Sequence, residues 1–161
     1  MKGDAKVIAL LNQVLRKELT GINQYFVHAK MCANWGYDTL ARHARHESID
    51  EMKHADRVIE RILFLEGTPN MAAMDKMTIG SDVRAQLKSD QALELAALAV
   101  LRPGIETCLA AGDHATRELL EQILAEEEAH IDWIEAQLHQ IGEMGYENYL
   151  STTVGGGAEK P

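Results

Sequence analysis

Six residues in this chain of 161 have the types and spacing of metal ligands. Glu18, Glu51, Glu94 and Glu127 each interrupt an otherwise apolar helical stripe. Two of them are followed on the same face by an imidazole, as Glu51-Met52-Lys53-His54 and Glu127-Glu128-Ala129-His130. Residues three apart on a helix are neighbours, so each Glu-x-x-His can hold one ion. Glu18 and Glu94 lie 76 positions apart, as do Glu51 and Glu127, and His54 and His130. One Glu-x-x-His alone would be an ordinary solvated face. Two of them, with two further glutamates at one constant offset, form a ligand set written twice. Four carboxylates inside one bundle would repel and take up protons unless cations compensated them. Two divalent ions balance four carboxylates, and mixed carboxylate and imidazole ligation suits iron or manganese better than a thiolate-loving metal. Iron is the choice that adds oxygen chemistry.

Four long segments of helical period must position these ligands. The first runs from Asp4, a plausible N-cap, to Asn34, with the stripe Leu11, Val14, Leu15, Glu18, Ile22, Tyr25. Gly36-Tyr37-Asp38 breaks it. The second runs from Thr39 to Leu65 through Glu47, Glu51 and His54, and Gly67, Pro69 and Asn70 end it. The third runs from Asp82 to Ala110, where Pro103-Gly104 should kink it or break its hydrogen-bond ladder. The fourth runs from Asp113 to Met144, and Tyr146 to Thr153 reads as a short fifth helix. Gly155-Gly156-Gly157 opens a tail, so the chain divides into one domain over 1–154 and a flexible terminus over 155–161.

The connections set the topology. Short turns make helices one and two, and three and four, antiparallel hairpins. The stretch from Glu66 to Ser81 is far longer than bundle loops usually are. Fifteen extended residues reach roughly 50 Å at ~3.3 Å each, whereas a 28-residue helix is roughly 42 Å long. The linker can therefore cross the whole bundle, giving an all-α, up-down-down-up four-helix bundle with one long crossover. Depths agree: Glu18 lies 18 residues before Gly36 and Glu51 15 after it, and Glu94 and Glu127 stand in the same relation to Gly112. All six ligands should meet at one height.

Composition narrows the class. Sixteen Lys+Arg against 25 Asp+Glu give a net charge of −9, which argues against a nucleic-acid partner and suits a protein that attracts cations. No run approaches the ~18 apolar residues of a membrane span. The first residues lack a signal peptide's apolar region, and Cys32 and Cys108 read as reduced thiols, so a cytoplasmic location is expected. His28, His114 and His139 read as ordinary core or surface histidines.

Several stretches are specific enough to carry a resemblance. They include Asn23-Gln24-Tyr25-Phe26, the run from His46 to Asp56, Arg61-Ile62-Leu63-Phe64-Leu65-Glu66-Gly67, His130-Ile131-Asp132-Trp133 and Asn148-Tyr149-Leu150. Through them the chain resembles the bacterioferritin family along nearly its whole length. The resemblance implies a ferritin-like bundle that assembles into a homo-oligomeric, iron-storing cage of 24 subunits. It further implies a ferroxidase centre in each subunit, oxidising Fe(II) to Fe(III) with O2 or H2O2 and storing ferric mineral in the cavity. Glu18, Glu51, His54, Glu94, Glu127 and His130 would be the di-iron ligands, with Glu51 and Glu127 bridging, and Tyr25 would lie near as an electron donor. Met52 sits about 100° from the ligand face, where a methionine usually packs. The resemblance makes it the axial ligand of a haem b shared across a two-fold axis. It also suggests that His46 and Asp50 hold an extra iron on the inner surface with help from Glu126, and that a small ferredoxin is the reductant. Two rivals are a haem-binding, electron-transfer subunit of a mixed cage and a small di-iron peroxidase.

Overall fold

The structure is a computed structural model that describes residues 1–155. Five helices follow in order: α1 Ala5–Trp35, α2 Asp38–Phe64, α3 Val83–Ala110, α4 His114–Met144 and α5 Tyr146–Ser151. Each long helix but α2 begins at an aspartate whose carboxylate accepts a first-turn amide. Asp4 takes the amides of Lys6 and Val7, Asp82 that of Ala85, and Asp113 that of Thr116. These bonds satisfy donors that the helix itself cannot. The two hairpins turn at Gly36 and Gly112, both left-handed with φ of 84° and 70°. Only glycine enters that region without a steric penalty.

Cross-helix pairs define the topology. From α1 to α3, Leu10 lies against Gly104, Gln24 bonds Asp90 and Cys32 bonds Gln86. As one number rises the other falls, so α1 and α3 are antiparallel. Between α2 and α4, Glu47 pairs with His130, His54 with Glu126 and Arg61 with Asp113, again antiparallel. Helices α2 and α3 therefore run the same way, as an up-down-down-up bundle requires.

The crossover is fastened to one ridge of α1. Asn12 donates to Thr68 and accepts from Asn70. Arg16 and Lys17 grip Asp75 at 2.7 and 2.6 Å. Thr20 accepts the amide of Asp75, Gln24 that of Thr78, and His28 that of Gly80. Asn12, Arg16, Thr20, Gln24 and His28 are four apart, so they form one stripe of a helix surface. The linker thus obtains from side chains the backbone partners it lacks as a non-helical segment.

Helix α3 continues through Pro103, and its ladder loses there the one bond that proline cannot donate. Pro103 and Ala99 both face solvent, so the carbonyl that loses its amide partner can bond water. Gly104 faces inward, and a Cβ there would lie 2.7 Å from Leu10 Cδ1. The fifth helix closes one end of the bundle, burying Tyr149, whose hydroxyl donates to Gln137 at 2.9 Å. The two cysteines are free and buried. The expected flexible tail lies outside the described residues apart from Gly155. No described helix is long and apolar enough to cross a membrane.

Candidate metal centre

The core is divided in two by a layer of charge. One apolar cluster is built from Val7, Leu11, Leu15, Leu101, Leu120 and Ile123. Another, at the far end, contains Leu40, Val83, Leu87, Ile134 and Tyr149. Between them Glu18, Glu51, His54, Glu94, Glu127 and His130 converge, all of them buried or nearly so. Each helix contributes the carboxylate that its sequence places mid-stripe.

Their ligand atoms form two groups, each drawn within 4.8 Å. One comprises Glu18, Glu51, His54 and Glu127, and the other Glu51, Glu94, Glu127 and His130. Glu51 and Glu127 belong to both, which is the position a bridging carboxylate must occupy. His54 Nδ1 stands 3.2 Å from Glu18 and 3.3 Å from Glu127. His130 Nδ1 stands 3.4 Å from Glu51, 3.4 Å from Glu94 and 3.0 Å from Glu127.

The outer nitrogen of each imidazole faces a further carboxylate. His54 Nε2 donates to Glu126 at 2.6 Å, and Arg57 holds that glutamate by both oxygens. His130 Nε2 faces Glu47 at 2.8 Å, and Glu47 is backed by His43 at 3.2 Å. Such partners fix which ring nitrogen points at a metal and raise its basicity. Tyr25 donates its hydroxyl proton to Glu94.

The electrostatics have the signature of a site built for cations. Burial pushes the carboxyls of Glu18, Glu51 and Glu94 well above the usual range, and neighbouring carboxylates push them further. Burial works against a charged Glu127 too, but the imidazoles of His130 and His54 overcome it and hold Glu127 down to about 2. Burial disfavours a charged His54, yet Glu127 and Glu51 outweigh this and raise it to about 9. The same balance, led by Glu127 and Glu47, raises His130. Glu18 Oε1, Glu51 Oε1, Glu94 Oε2 and both oxygens of Glu127 have no hydrogen-bond partner. Buried acceptors are rarely left so. The donor set therefore fits two hard divalent cations of the iron or manganese type.

Two contributors escaped the sequence reading. Gly21 sits mid-helix, where glycine costs about 1 kcal/mol relative to alanine. A Cβ there would come within 3.0 Å of Glu51 Oε2 and 3.1 Å of its Cγ, so the missing side chain makes room for the Glu51 carboxylate. Glu47 was visible only as a stripe residue, because its partner lies on another helix.

Comparison with known proteins agrees with this geometry. Residues 8–144 match the ferritin-like domain. The chain is 46% identical over 154 residues to a bacterioferritin of Mycobacterium tuberculosis, covering 96% of this chain and 97% of the other. The chain belongs to the bacterioferritin family. Bacterioferritins of Mycobacterium leprae, at 45% identity over 96% of this chain and 97% of that one, and of Rhodobacter capsulatus, at 43% over 92% of each, are similar to it as well. Against this bacterioferritin frame the remaining expected site residues fall as follows. Met52 is on the outside of the bundle and 55% exposed. His46 pairs with Asp50 at 3.2 Å. Glu126 is not with them: it is engaged by His54 and Arg57, and among the described residues the three form no group of close ligand atoms.

Two outcomes follow from the site. Gly21→Ala should displace Glu51 and weaken Co(II) binding by about 10–100-fold, the usual cost of disturbing a ligand's support. Optical titration checks it, and wild-type affinity would show that the gap serves helix packing only. The second concerns pH. Groups raised in the folded state, Glu18, Glu51, Glu94 and His54, bind more protons folded than unfolded. The stability they give is present below their ordinary values of 4.5 and 6.5 and is lost as pH rises, for His54 through about 9. Glu127 acts oppositely, but its contribution is lost only at acid pH, towards about 2. The melting temperature of chelator-treated protein should therefore fall between pH 6.5 and 9, and Co(II) should remove most of that fall.

Proposed function

We propose that this chain is an iron-storage protein that oxidises its own cargo. The carrying observation is the pair of four-residue groups that share Glu51 and Glu127. Fe(II) is the substrate. Glu18 and His54 would hold one ion, Glu94 and His130 the other, and the two shared carboxylates would span them. Two Fe(II) ions give one electron each, so one dioxygen takes both electrons with two protons and leaves as hydrogen peroxide. Peroxide in its turn takes two electrons and two protons to give two waters. Glu47 and Glu126 keep Nδ1 of each imidazole turned inward throughout. Tyr25, bonded to Glu94, would supply a further electron.

Family membership supports the rest of the reading: a cytoplasmic cage of 24 copies, mineral in its cavity, and a ferredoxin as reductant. His46 and Asp50, paired and accessible, are proposed to carry iron inward, without Glu126. Haem b is proposed at Met52. The fit rests on Met52, Phe26 and Ile49, exposed by 55%, 48% and 41%. Their helices meet at this height, where Ser48 bonds the carbonyl of Ile22. A thioether beside an apolar surface suits a haem shared by two copies, which would supply one-electron transfer for reductive release.

Glu18→Ala and His130→Ala should each assemble yet slow the rapid phase of Fe(II) oxidation by at least about 10–100-fold. Stopped-flow absorbance at two Fe(II) per subunit measures it, and an unchanged rapid phase in both variants would falsify the six-ligand assignment. Met52→Leu should abolish the haem absorption bands while leaving that phase intact. Bands that survive the substitution place any haem elsewhere.

A further inference from the structure

The offset of 76 pairs every position near the ligands with a counterpart in the other half. On one flank of the ligand layer the residues are aliphatic. Leu10, Val14, Leu101 and Ile123 are all buried in one apolar cluster. Shifted by 76, the same four places on the other flank hold Gln86, Asp90, Tyr25 and Glu47. The counterparts of Gly104 and Leu119 are His28 and His43. A symmetric set of ligands thus has one dry flank and one polar flank.

The polar flank contains a cavity of about 30 Å³ that touches Tyr25, Glu47 and His130. Ala44, Leu87 and Ile134 form much of its apolar wall. The space suffices for roughly two molecules the size of water, at ~10–15 Å³ each. Most of the polar groups around it are already bonded to one another. His28 uses Nδ1 on Asp90 at 2.9 Å and Nε2 on the Gly80 amide at 3.1 Å. Gln24 donates to the same Asp90 oxygen at 2.8 Å, and Tyr25 donates to Glu94. Glu47 lies between His43 and His130. A buried water needs two to four polar partners. His130 Nδ1 is turned to the metal-ligand carboxylates, which leaves Glu47 Oε2 as the one buried unpaired side-chain atom lining the cavity. Towards solvent the cavity ends at His43, 26% exposed, whose ring stacks on Trp133 with centroids 3.4 Å apart.

We propose that this cavity is the holding site from which dioxygen reaches the His130 side of the metal centre. The proposal rests on the ferroxidase reading above. Dioxygen is neutral, weakly polar and small enough for the space, so it enters without a counter-charge. The opposite flank is filled by leucine, valine and isoleucine, so the supply is one-sided.

Xenon, a neutral apolar probe, tests the cavity directly. Crystals of the wild type under xenon pressure should show density beside Ala44 and Leu87, and Ala44→Leu should remove it. In stopped-flow oxidation at varied dioxygen concentration, Ala44→Leu should lower the rate constant for dioxygen roughly tenfold, about 1.4 kcal/mol in the barrier. Ala44→Val, milder in packing, should lower it less. Co(II) binding at the six ligands should be unchanged in both. Absence of xenon from the wild type, ordered water filling the chamber, or a normal dioxygen dependence in a folded variant that excludes xenon each overturns the proposal. A wild type that holds xenon but does not oxidise Fe(II) overturns the ferroxidase reading beneath it.

Discussion

Four carboxylates buried at one height impose the constraint on which the rest of this bundle depends. Glu18, Glu51, Glu94 and Glu127 are almost wholly shielded from solvent, so their charge must be met inside the protein. Protons and the imidazoles of His54 and His130 meet it when no cation does, which is why three carboxyls sit well above their usual range and the fourth well below. Divalent cations meet it better, because they satisfy oxygens that have no hydrogen-bond donor. Folding and metal binding are therefore linked: the apolar clusters on either side supply the packing that holds a costly polar layer in place.

The supports of the two imidazoles differ although the imidazoles themselves are related by the repeat. His54 leans on Glu126, an exposed carboxylate neutralised by Arg57. His130 leans on Glu47, which is buried and backed by a histidine stacked on Trp133. One support is shared with solvent and the other is enclosed. The two groups of four are thus alike in donor atoms and unlike in the polarity behind them.

Much of this was legible in the sequence, for physical reasons that also mark the limit. The six converging side chains could be found because each of the four glutamates interrupts an apolar stripe and because the hairpin turns at Gly36 and Gly112 give equal depths. The helices, the single crossover and the up-down-down-up order followed from periodicity and linker length. What a single helix cannot reveal is its partner. Glu47 is a stripe residue until His130 arrives from α4, and Gly21 is a mere propensity cost until Glu51 is seen beside it. His28, expected to be ordinary, carries both a crossover amide and Asp90. Glu126, read from the sequence together with His46 and Asp50, has its contacts with His54 and Arg57 on another helix. Pro103 was expected to kink α3 or break its hydrogen-bond ladder; the helix continues through it, and water at the exposed Ala99 can take the place of the missing amide.

The crossover has a consequence beyond its path along α1. Each half of the chain supplies one glutamate and one Glu-x-x-His, so two copies of a single hairpin could in principle complete the ligand layer by themselves. Such a pair would be bound by its own symmetry: any residue lining one flank would appear on the other, and both flanks would be polar or both dry. Joining the halves covalently lifts that restriction. Tyr25 can stand at the place whose counterpart is Leu101, and Glu47 at the place whose counterpart is Ile123, because they are encoded separately. The segment fastened to Asn12, Arg16, Thr20, Gln24 and His28 is what allows a two-fold metal layer to acquire a direction.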